Sequence, residues 1–291
     1  MLVEIAVDGG PGMGFGHLSR SQTLAAALRD AGAKVRFDPR SETARDALGV
    51  KDSPEGAPDI LVLDLPYADD RAIEAARAAG RPVAVLDHVG AASADLAVRT
   101  DPRRIPMAAR RCEYGLAYAL IRREILDQAP HDAGHVLVCI GGSDLGDLGV
   151  EAARRLAAAD ERVVLVRGPL AAPLETAPKG VEVRINPPDL PRLLAGCRYA
   201  VTNAGTTALE AMALGKPVHV IGQTDLERAT AQGFLDDGII LGLGLETLAP
   251  PDPEHAARVA AAGRARVDGR GAQRVAGLVL ELAGRTPRAP A

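Results

Sequence analysis

Two hydrophobic patterns alternate along the first 90 residues of the chain. Short, almost uninterrupted apolar runs are typical of buried strands, and they occupy residues 2–7, 34–37, 59–65 and 82–86. Between them, apolar residues recur at helical spacing, and these stretches predict helices over residues 18–31, 41–48 and 70–79. Buried strands that alternate with amphipathic helices indicate a parallel sheet that helices cover on both faces.

The alternation weakens over residues 91–134 and restarts with the apolar run HVLVCI at residues 135–140. The second half predicts strands over 162–166, 181–185, 199–201 and 217–221, and helices over 148–158, 190–195 and 206–214. We therefore expect two α/β domains, residues 1–128 and 135–285, joined near 126–134. We expect the last helical stretches, 253–262 and 273–283, to pack across that join.

Composition excludes several classes of protein. A chain of 291 residues with 47% hydrophobic residues can bury a large core, so it is not intrinsically disordered. Its 34 basic and 38 acidic residues give a net charge of −4, which offers no electrostatic attraction for a polyanion. Aromatic residues make up 2% of the chain and tryptophan is absent, which excludes a base-stacking surface. We therefore expect no nucleic-acid partner.

Cysteine usage and hydropathy predict a cytoplasmic protein. The three cysteines, Cys112, Cys139 and Cys197, are odd in number and widely spaced, which argues against a disulfide scaffold and suits a reducing compartment. The amino terminus does not read as a signal peptide, and no apolar run reaches the ~18 residues of a membrane-spanning helix. Neither H-E-x-x-H nor C-x-x-C occurs, so no metal is required. The oligomeric state stays open.

The densest chemical signal is a glycine-rich loop between the first strand and the first helix, with glycines at positions 9, 10, 12, 14 and 16. Such a loop lets a ligand approach the backbone, and the helix that follows attracts anions. The dinucleotide pattern G-x-G-x-x-G fails at Phe15, so an NAD site is disfavoured even though Asp38 ends the second strand.

His17 follows this loop directly. The positive end of a helix dipole disfavours the imidazolium form, which suits a histidine that acts as a base. The alternative is an ordinary capping or turn histidine, and the preceding glycines favour the functional interpretation. Asp8, at the start of the loop, would either orient His17 or bind a substrate hydroxyl. Asp87 and His88 end the fourth strand and would either contact a ligand or cap a loop.

Two further strand–glycine–helix turns occur in the second half, at Gly141–Asp144 and Asn203–Thr207. Each offers backbone N–H groups and a helix dipole to a phosphate. Glu210, one turn into the following helix, is placed to accept hydrogen bonds from a ribose diol. The alternative is that Ser143 and Thr206 are plain N-caps and Glu210 compensates the dipole. Two such turns in one half favour a nucleotide diphosphate site.

Four segments carry a resemblance to a known family. They are DGGPGMGFGHLSR at 8–20, Tyr114-Gly115 with YALIRRE at 118–124, VLVCIGGSD at 136–144 and NAGTTALEAMALGKPV at 203–218. The chain resembles the UDP-sugar hydrolases of the pseudaminic-acid pathway, which act on UDP-2,4-diacetamido-2,4,6-trideoxy-β-L-altropyranose, and the related SpsG-like proteins. The last segment is also similar to the donor-binding half of MurG-type glycosyltransferases. The resemblance covers residues 1–245.

This resemblance implies a GT-B fold, in which two Rossmann-like domains with parallel sheets hold a nucleotide-sugar in an interdomain cleft. It implies hydrolysis without a metal or cofactor, with His17 activating water and Asp8 beside it. Gly142, Ser143, Gly205 and Thr206 would contact the diphosphate, Glu210 would hold the ribose, and the segment from Asn186 to Leu190 would lie near the base. The remaining implied substrate contacts are Gly14, Gly16, Arg20, Tyr67, Asn203, Thr207 and Gln223.

The sequence departs from the family where Gly222-Gln223 replaces an Asn-Gln pair, where Thr206 replaces a serine and where Leu209 replaces an aromatic residue. Two alternatives to a hydrolase stay open. An acceptor hydroxyl in place of water would make the protein a GT-B glycosyltransferase with a UDP-sugar donor. A site without a working nucleophile would make it a non-catalytic nucleotide-sugar-binding protein.

Overall fold

The computed structural model describes residues 1–11, 13–49, 54–87 and 90–285. The chain divides into two compact units. The first contains Met1–Leu120 together with the segment that begins at Arg270, and the second contains Ile121–Gly269. Each unit is built around one parallel β-sheet.

The sheet of the first unit has six parallel strands in the order β2-β1-β3-β4-β5-β6. They are β1 (Leu2–Val7), β2 (Lys34–Pro39), β3 (Ile60–Asp64), β4 (Val83–Leu86), β5 (Ala94–Arg99) and β6 (Ala109–Tyr114). Because β1 lies between β2 and β3, the strand order reverses there. The connections that follow β1 and β3 leave a crevice at their carboxyl ends, which is where open α/β sheets bind ligands.

The sheet of the second unit has five parallel strands in the order β11-β10-β7-β8-β9. They are β7 (His135–Cys139), β8 (Val163–Arg167), β9 (Val181–Ile185), β10 (Cys197–Thr202) and β11 (Val218–Val220). Here the order reverses at β7, between β8 and β10. The turns that follow β7 and β10 are therefore neighbours at the carboxyl edge of this sheet.

Helices cover both sheets. They are α1 (Gly16–Asp30), α2 (Glu42–Leu48), α3 (Asp70–Ala78), α4 (Arg123–Leu126), α5 (Leu148–Ala158), α6 (Leu190–Gly196), α7 (Thr206–Ala213), α8 (Asp225–Asp236), α9 (Pro253–Arg266) and α10 (Gly271–Arg285). Among the described residues, no helix combines the length and the apolar character that crossing a membrane requires.

The last helix belongs to the first unit, which differs from the predicted boundary of 135–285. Val275 and Val279 of α10 lie in the same buried cluster as Leu24 and Leu28 of α1. Helix α9, in contrast, packs on α7 within the second unit. Of the two stretches expected to cross the join, only α10 leaves the second unit. Apolar periodicity identifies the face of a helix that is buried, but it does not identify the sheet that buries it.

Four elements lie outside the sequence prediction: strands β5 and β6, the short helix α4 and helix α8. Strands β5 and β6 fall within residues 91–134, where β6 is an edge strand with two exposed arginines, Arg110 and Arg111. Helix α8 is polar on most of its surface and buries only Ala231, Gly233 and Phe234. The edge strand β6 and the largely exposed helix α8 lack the continuous apolar pattern on which the prediction depends, and the buried strand β5 has only three consecutive apolar residues between Asp95 and Arg99.

Candidate functional site

The glycine loop closes on itself after β1. The amide of Gly10 donates to the carbonyl of Gly14 at 3.0 Å, and the amide of Gly14 donates back to the carbonyl of Gly10 at 2.8 Å. Gly14 has φ of +75°, a conformation that favours glycine. Gly12 lies outside the described residues. The loop delivers the chain to α1, which begins at Gly16.

His17 is the second residue of α1 and does not cap it, because the N-cap position is Phe15. Its Nδ1 lies 2.8 Å from Oδ1 of Asp64, the last residue of β3. The Asp64 side chain is completely buried, whereas that of His17 is 21% exposed. The crevice beside β1 therefore holds a histidine paired with a buried carboxyl group.

The charge state of Asp64 determines how the two side chains bond. Burial raises the pKa of Asp64, but the Arg20 charge and the hydrogen bonds from His17 and Arg20 outweigh burial and lower that pKa to about 2. Arg20 Nη2 lies 3.0 Å from the same Nδ1, but a carboxylate only accepts hydrogen bonds, so the shorter contact of 2.8 Å with Asp64 favours the tautomer with its proton on Nδ1. In the neutral ring, Nε2 is then the nitrogen that can take up a proton.

Arg20, one turn after His17, holds this pair in place. Its Nε and Nη2 donate to Oδ1 of Asp64 at 2.8 and 2.5 Å, and its Nη1 donates to Asp87 at 2.5 Å. Burial lowers the pKa of Arg20, but Asp64 and Asp87 raise it more, so the guanidinium stays charged. Arg20 was predicted to contact substrate; three of its donors bond to these two carboxylates, and the substrate contact stays a prediction. His88, which the sequence paired with Asp87, lies outside the described residues.

Asp8 forms a separate cluster. Its carboxylate accepts from the amide of Gly9 at 2.9 Å, from Ser41 Oγ at 2.6 Å and from the hydroxyl of Tyr67 at 2.9 Å. The idea that Asp8 orients His17 is therefore wrong, because Asp64 is the carboxylate that bonds to the ring. Burial and the bond to Asp8 raise the pKa of the half-exposed Tyr67 to about 12. That Asp8 binds a substrate hydroxyl stays a prediction.

In the second unit, a buried ion pair supports the turn that follows β7. Asp144 accepts from the amide of Gly149 at 2.8 Å and from Arg167 Nη1 at 2.8 Å. The same nitrogen of Arg167, the last residue of β8, also donates to Asp147 at 2.7 Å. Gly142 and Ser143, in the same turn, are partly exposed. Ser143 is not an N-cap, because the cap of α5 is Asp147.

The segment after β8 braces the same turn through its backbone. The amide of Leu170 donates to the carbonyl of Gly142 at 2.9 Å. Gly168 approaches so closely that a Cβ there would lie 2.4 Å from that carbonyl oxygen. Asn186, at the exposed end of β9, donates its amide to the Arg167 carbonyl at 2.8 Å. The positions expected to contact the diphosphate and the base therefore both bond to the segment 167–170.

Asn203 joins the two glycine turns. A Cβ added at Gly141 or at Gly205 would lie 3.2 or 3.3 Å from its Nδ2. That Nδ2 donates to Oε1 of Glu227 at 2.7 Å, and the amide of Gln223 donates to Oε2 of Glu227 at 2.8 Å. The structure therefore brings the turns after β7, β10 and β11 together at one edge of the sheet.

Helix α7 begins at this edge of the sheet. It begins at Thr206, its N-cap is Gly205, and among the described residues no side chain caps it. Thr206 and Thr207 therefore present first-turn amides, and the N-cap interpretation of Thr206 is wrong. Glu210 is buried and pairs with Arg122, whose Nε donates to Oε1 at 2.7 Å and whose Nη2 donates to Oε2 at 3.3 Å. Within the described residues, no group of three or more His, Cys, Asp or Glu side chains is arranged to hold a metal ion.

A curated relative supports the resemblance. The chain is 28% identical over 176 residues to the spore coat polysaccharide biosynthesis protein SpsG of Bacillus subtilis strain 168, an alignment that covers 52% of this chain and 51% of that protein. The aligned region spans about half the length of that relative. No family model matches the chain.

Solved structures confirm the fold of the chain. MurG of Acinetobacter baumannii has a TM-score of 0.63 and 14% identity, with coverage of 96% of this chain and 99% of MurG. The complex of Staphylococcus aureus MnaA with UDP has a TM-score of 0.60 and 12% identity, with both chains covered completely. The predicted GT-B-like fold with two Rossmann-like domains and parallel sheets is therefore confirmed.

Sequence reasoning did not assign a role to four residues whose side chains bond to the predicted site residues or their turns: Asp64, Arg122, Arg167 and Glu227. A charged residue at the end of an otherwise apolar strand marks two of them, as in ILVLD of β3 and VVLVR of β8. In a parallel sheet these ends share the edge at which ligands bind, so such a charge is a usable signal. Arg122 lies within the YALIRRE segment but carries no signal that identifies Glu210 as its partner.

Proposed function

We propose that the protein hydrolyses a nucleotide-activated amino sugar, most simply a UDP-sugar, to the free sugar and the nucleoside diphosphate. The observation that carries this proposal is the His17–Asp64 pair at the carboxyl edge of the first sheet. A buried carboxylate that accepts the hydrogen bond from Nδ1–H leaves Nε2 as a base, which is the arrangement that general-base catalysis uses.

In the proposed reaction, Nε2 of His17 accepts a proton from water while the water oxygen bonds to the anomeric carbon of the sugar. The bond between that carbon and the diphosphate oxygen breaks, and the electron pair leaves with the diphosphate. Asp64 stays ionised and stabilises the imidazolium that forms. Arg20 acts as a positioning residue, because its donors are bound to Asp64 and Asp87.

The second unit supplies the nucleotide site of this proposal. Backbone amides of Gly142, Ser143 and Thr206 receive the diphosphate, and the uncapped start of α7 stabilises its charge. Glu210 accepts the ribose hydroxyls and Asn186 lies toward the base. A nucleoside diphosphate held in this way is a good leaving group, so the reaction needs neither a metal nor a strong acid.

The comparisons support the substrate class of the proposal. SpsG is described as a protein of spore coat polysaccharide biosynthesis, and MnaA forms a complex with UDP. We therefore place the reaction in the biosynthesis of a surface polysaccharide or a nonulosonic acid of the pseudaminic type. The His17–Asp64 pair would equally deprotonate an acceptor hydroxyl, so the test must distinguish a hydrolase from a glycosyltransferase.

The test measures release of UDP from a panel of UDP-sugars that includes amino-trideoxy sugars, without acceptor and with EDTA present. We expect release by the wild type, and a fall in kcat of at least about 10²-fold in His17→Asn with donor affinity little changed. UDP binding without release would indicate a glycosyltransferase or a binding protein. Turnover by His17→Asn near the wild-type rate would overturn the role of His17.

A further inference from the structure

The second unit contains a buried carboxylate whose partner comes from a distant part of the chain. Glu210 lies on α7 and is 4% exposed, and Arg122 directly precedes α4. Arg122 contacts both carboxylate oxygens, at 2.7 and 3.3 Å. This two-point contact sets the plane of the carboxylate as well as its charge, which a single donor would not do.

The surroundings of Glu210 otherwise oppose its ionised form. Burial raises the pKa of Glu210 above its usual value, the bond and charge of Arg122 offset only part of this rise, and the charge of Glu124 adds to it. The Cys139 thiol at the end of β7 interacts electrostatically with this carboxyl, and because burial raises the pKa of Cys139 to about 12, the thiol stays neutral and adds no second negative charge. Arg122 is thus the group that favours the Glu210 carboxylate among the ionisable groups that influence it.

The pair leaves Glu210 able to bind a ligand. A carboxylate offers about four lone-pair sites, and Arg122 uses two of them. A protonated carboxylic acid in the same place would accept hydroxyl hydrogens more weakly, because charge-assisted hydrogen bonds are the stronger ones. Whether Glu210 can accept two hydroxyls therefore depends on the guanidinium beside it.

We infer that Arg122 is a positioning residue that keeps Glu210 ionised and oriented to receive the two hydroxyls of a nucleotide ribose. The inference rests on the proposed function, because it takes the ribose contact of Glu210 from there. It adds a role for the YALIRRE segment, whose first arginine acts through Glu210 and does not touch the ligand. The neighbouring Arg123 pairs only with the exposed Asp127 among the described residues, so it has no such role.

The experiment compares the affinities of UDP and 2′,3′-dideoxy-UDP by calorimetry. The wild type should bind UDP at least about tenfold more tightly. Arg122→Met should remove most of this difference by weakening UDP alone, and Arg122→Lys should restore part of it. Arg123→Met is the matched control and should behave like the wild type. A purely structural role for Arg122 would weaken both nucleotides alike, and that result would overturn the inference.

The pH dependence of UDP binding gives a second readout. UDP affinity should fall with decreasing pH as Glu210 gains a proton, and in Arg122→Lys or Arg122→Met this fall should begin at a higher pH than in the wild type. Glu210→Gln should bind weakly and lose this pH dependence. UDP binding without preference for the ribose hydroxyls would overturn this inference and leave the proposed function standing. Absence of UDP binding by the wild type would overturn both.

Discussion

The Nδ1 atom of His17 lies 2.8 Å from a carboxylate, Asp64, that has no exposed surface. The two residues are 47 positions apart in sequence and meet because β1 and β3 are adjacent parallel strands. The glycine loop after β1 positions the histidine, and the end of β3 positions the carboxylate. The pair is therefore a product of strand order, and its chemistry depends on the carboxylate more than on the loop.

Asp64→Asn should lower kcat by at least about 10²-fold, because the neutral amide no longer holds the Nδ1 proton or stabilises an imidazolium. Asp87→Asn is the matched control. Asp87 also bonds to Arg20 but makes no hydrogen bond to His17, so its substitution should change kcat little. Steady-state kinetics on the released UDP measures both. Equal losses in the two variants would mean that Arg20, and not the orientation of His17, limits the reaction.

Asp64 should also contribute to stability in a defined range of pH. Its pKa falls from 3.8 to about 2 on folding, so its stabilising contribution is complete above about pH 4 and is lost as pH falls toward 2. A shift of this size corresponds to roughly 2 kcal/mol. The thermal unfolding midpoint of the wild type should therefore exceed that of Asp64→Asn at pH 7, and the difference should shrink between pH 4 and 2. A difference that stays constant over this range would contradict the ionised pair.

Two adjacent glycines of the turn after β7 should respond differently to alanine. Gly141 has φ of +61° and a Cβ there would press on Asn203, so Gly141→Ala should lower the unfolding temperature. A Cβ at Gly142 meets nothing within 4 Å, so Gly142→Ala should fold normally. If the diphosphate lies on this turn, Gly142→Ala should weaken UDP binding about tenfold. Unchanged UDP affinity in Gly142→Ala would place the diphosphate elsewhere.

The buried Arg167–Asp144 pair should be costly to break from one side. Arg167→Met leaves Asp144 buried without its partner, and we expect about 3–5 kcal/mol of destabilisation in urea unfolding. The double variant Arg167→Met/Asp144→Asn should be less destabilised than the sum of the single variants. Arg184→Met, which breaks the exposed pair with Glu182, is the control and should change stability by about 0.5 kcal/mol or less. Additive effects at 167 and 144 would show that the two side chains do not depend on each other.

The sequence by itself determined the alternation of strands and helices. Strand β9 and helix α5 lie where the pattern predicts them, at Val181–Ile185 and Leu148–Ala158. Strand and helix periods, and the glycines that turns require, are local properties, and a local pattern records them. For the same reason the three glycine turns and His17 are visible in the sequence.

The tertiary structure alone decided which residues meet. His17 bonds to Asp64 and not to Asp8, which is nearer in sequence. Arg122 bonds to Glu210, and α10 packs on α1. Strand order and the packing of helices set these contacts, which join residues 47, 88 and about 250 positions apart. One sequence without its fold contains no local signal for such pairings, because a charged side chain next to an apolar run looks the same whichever partner it finds.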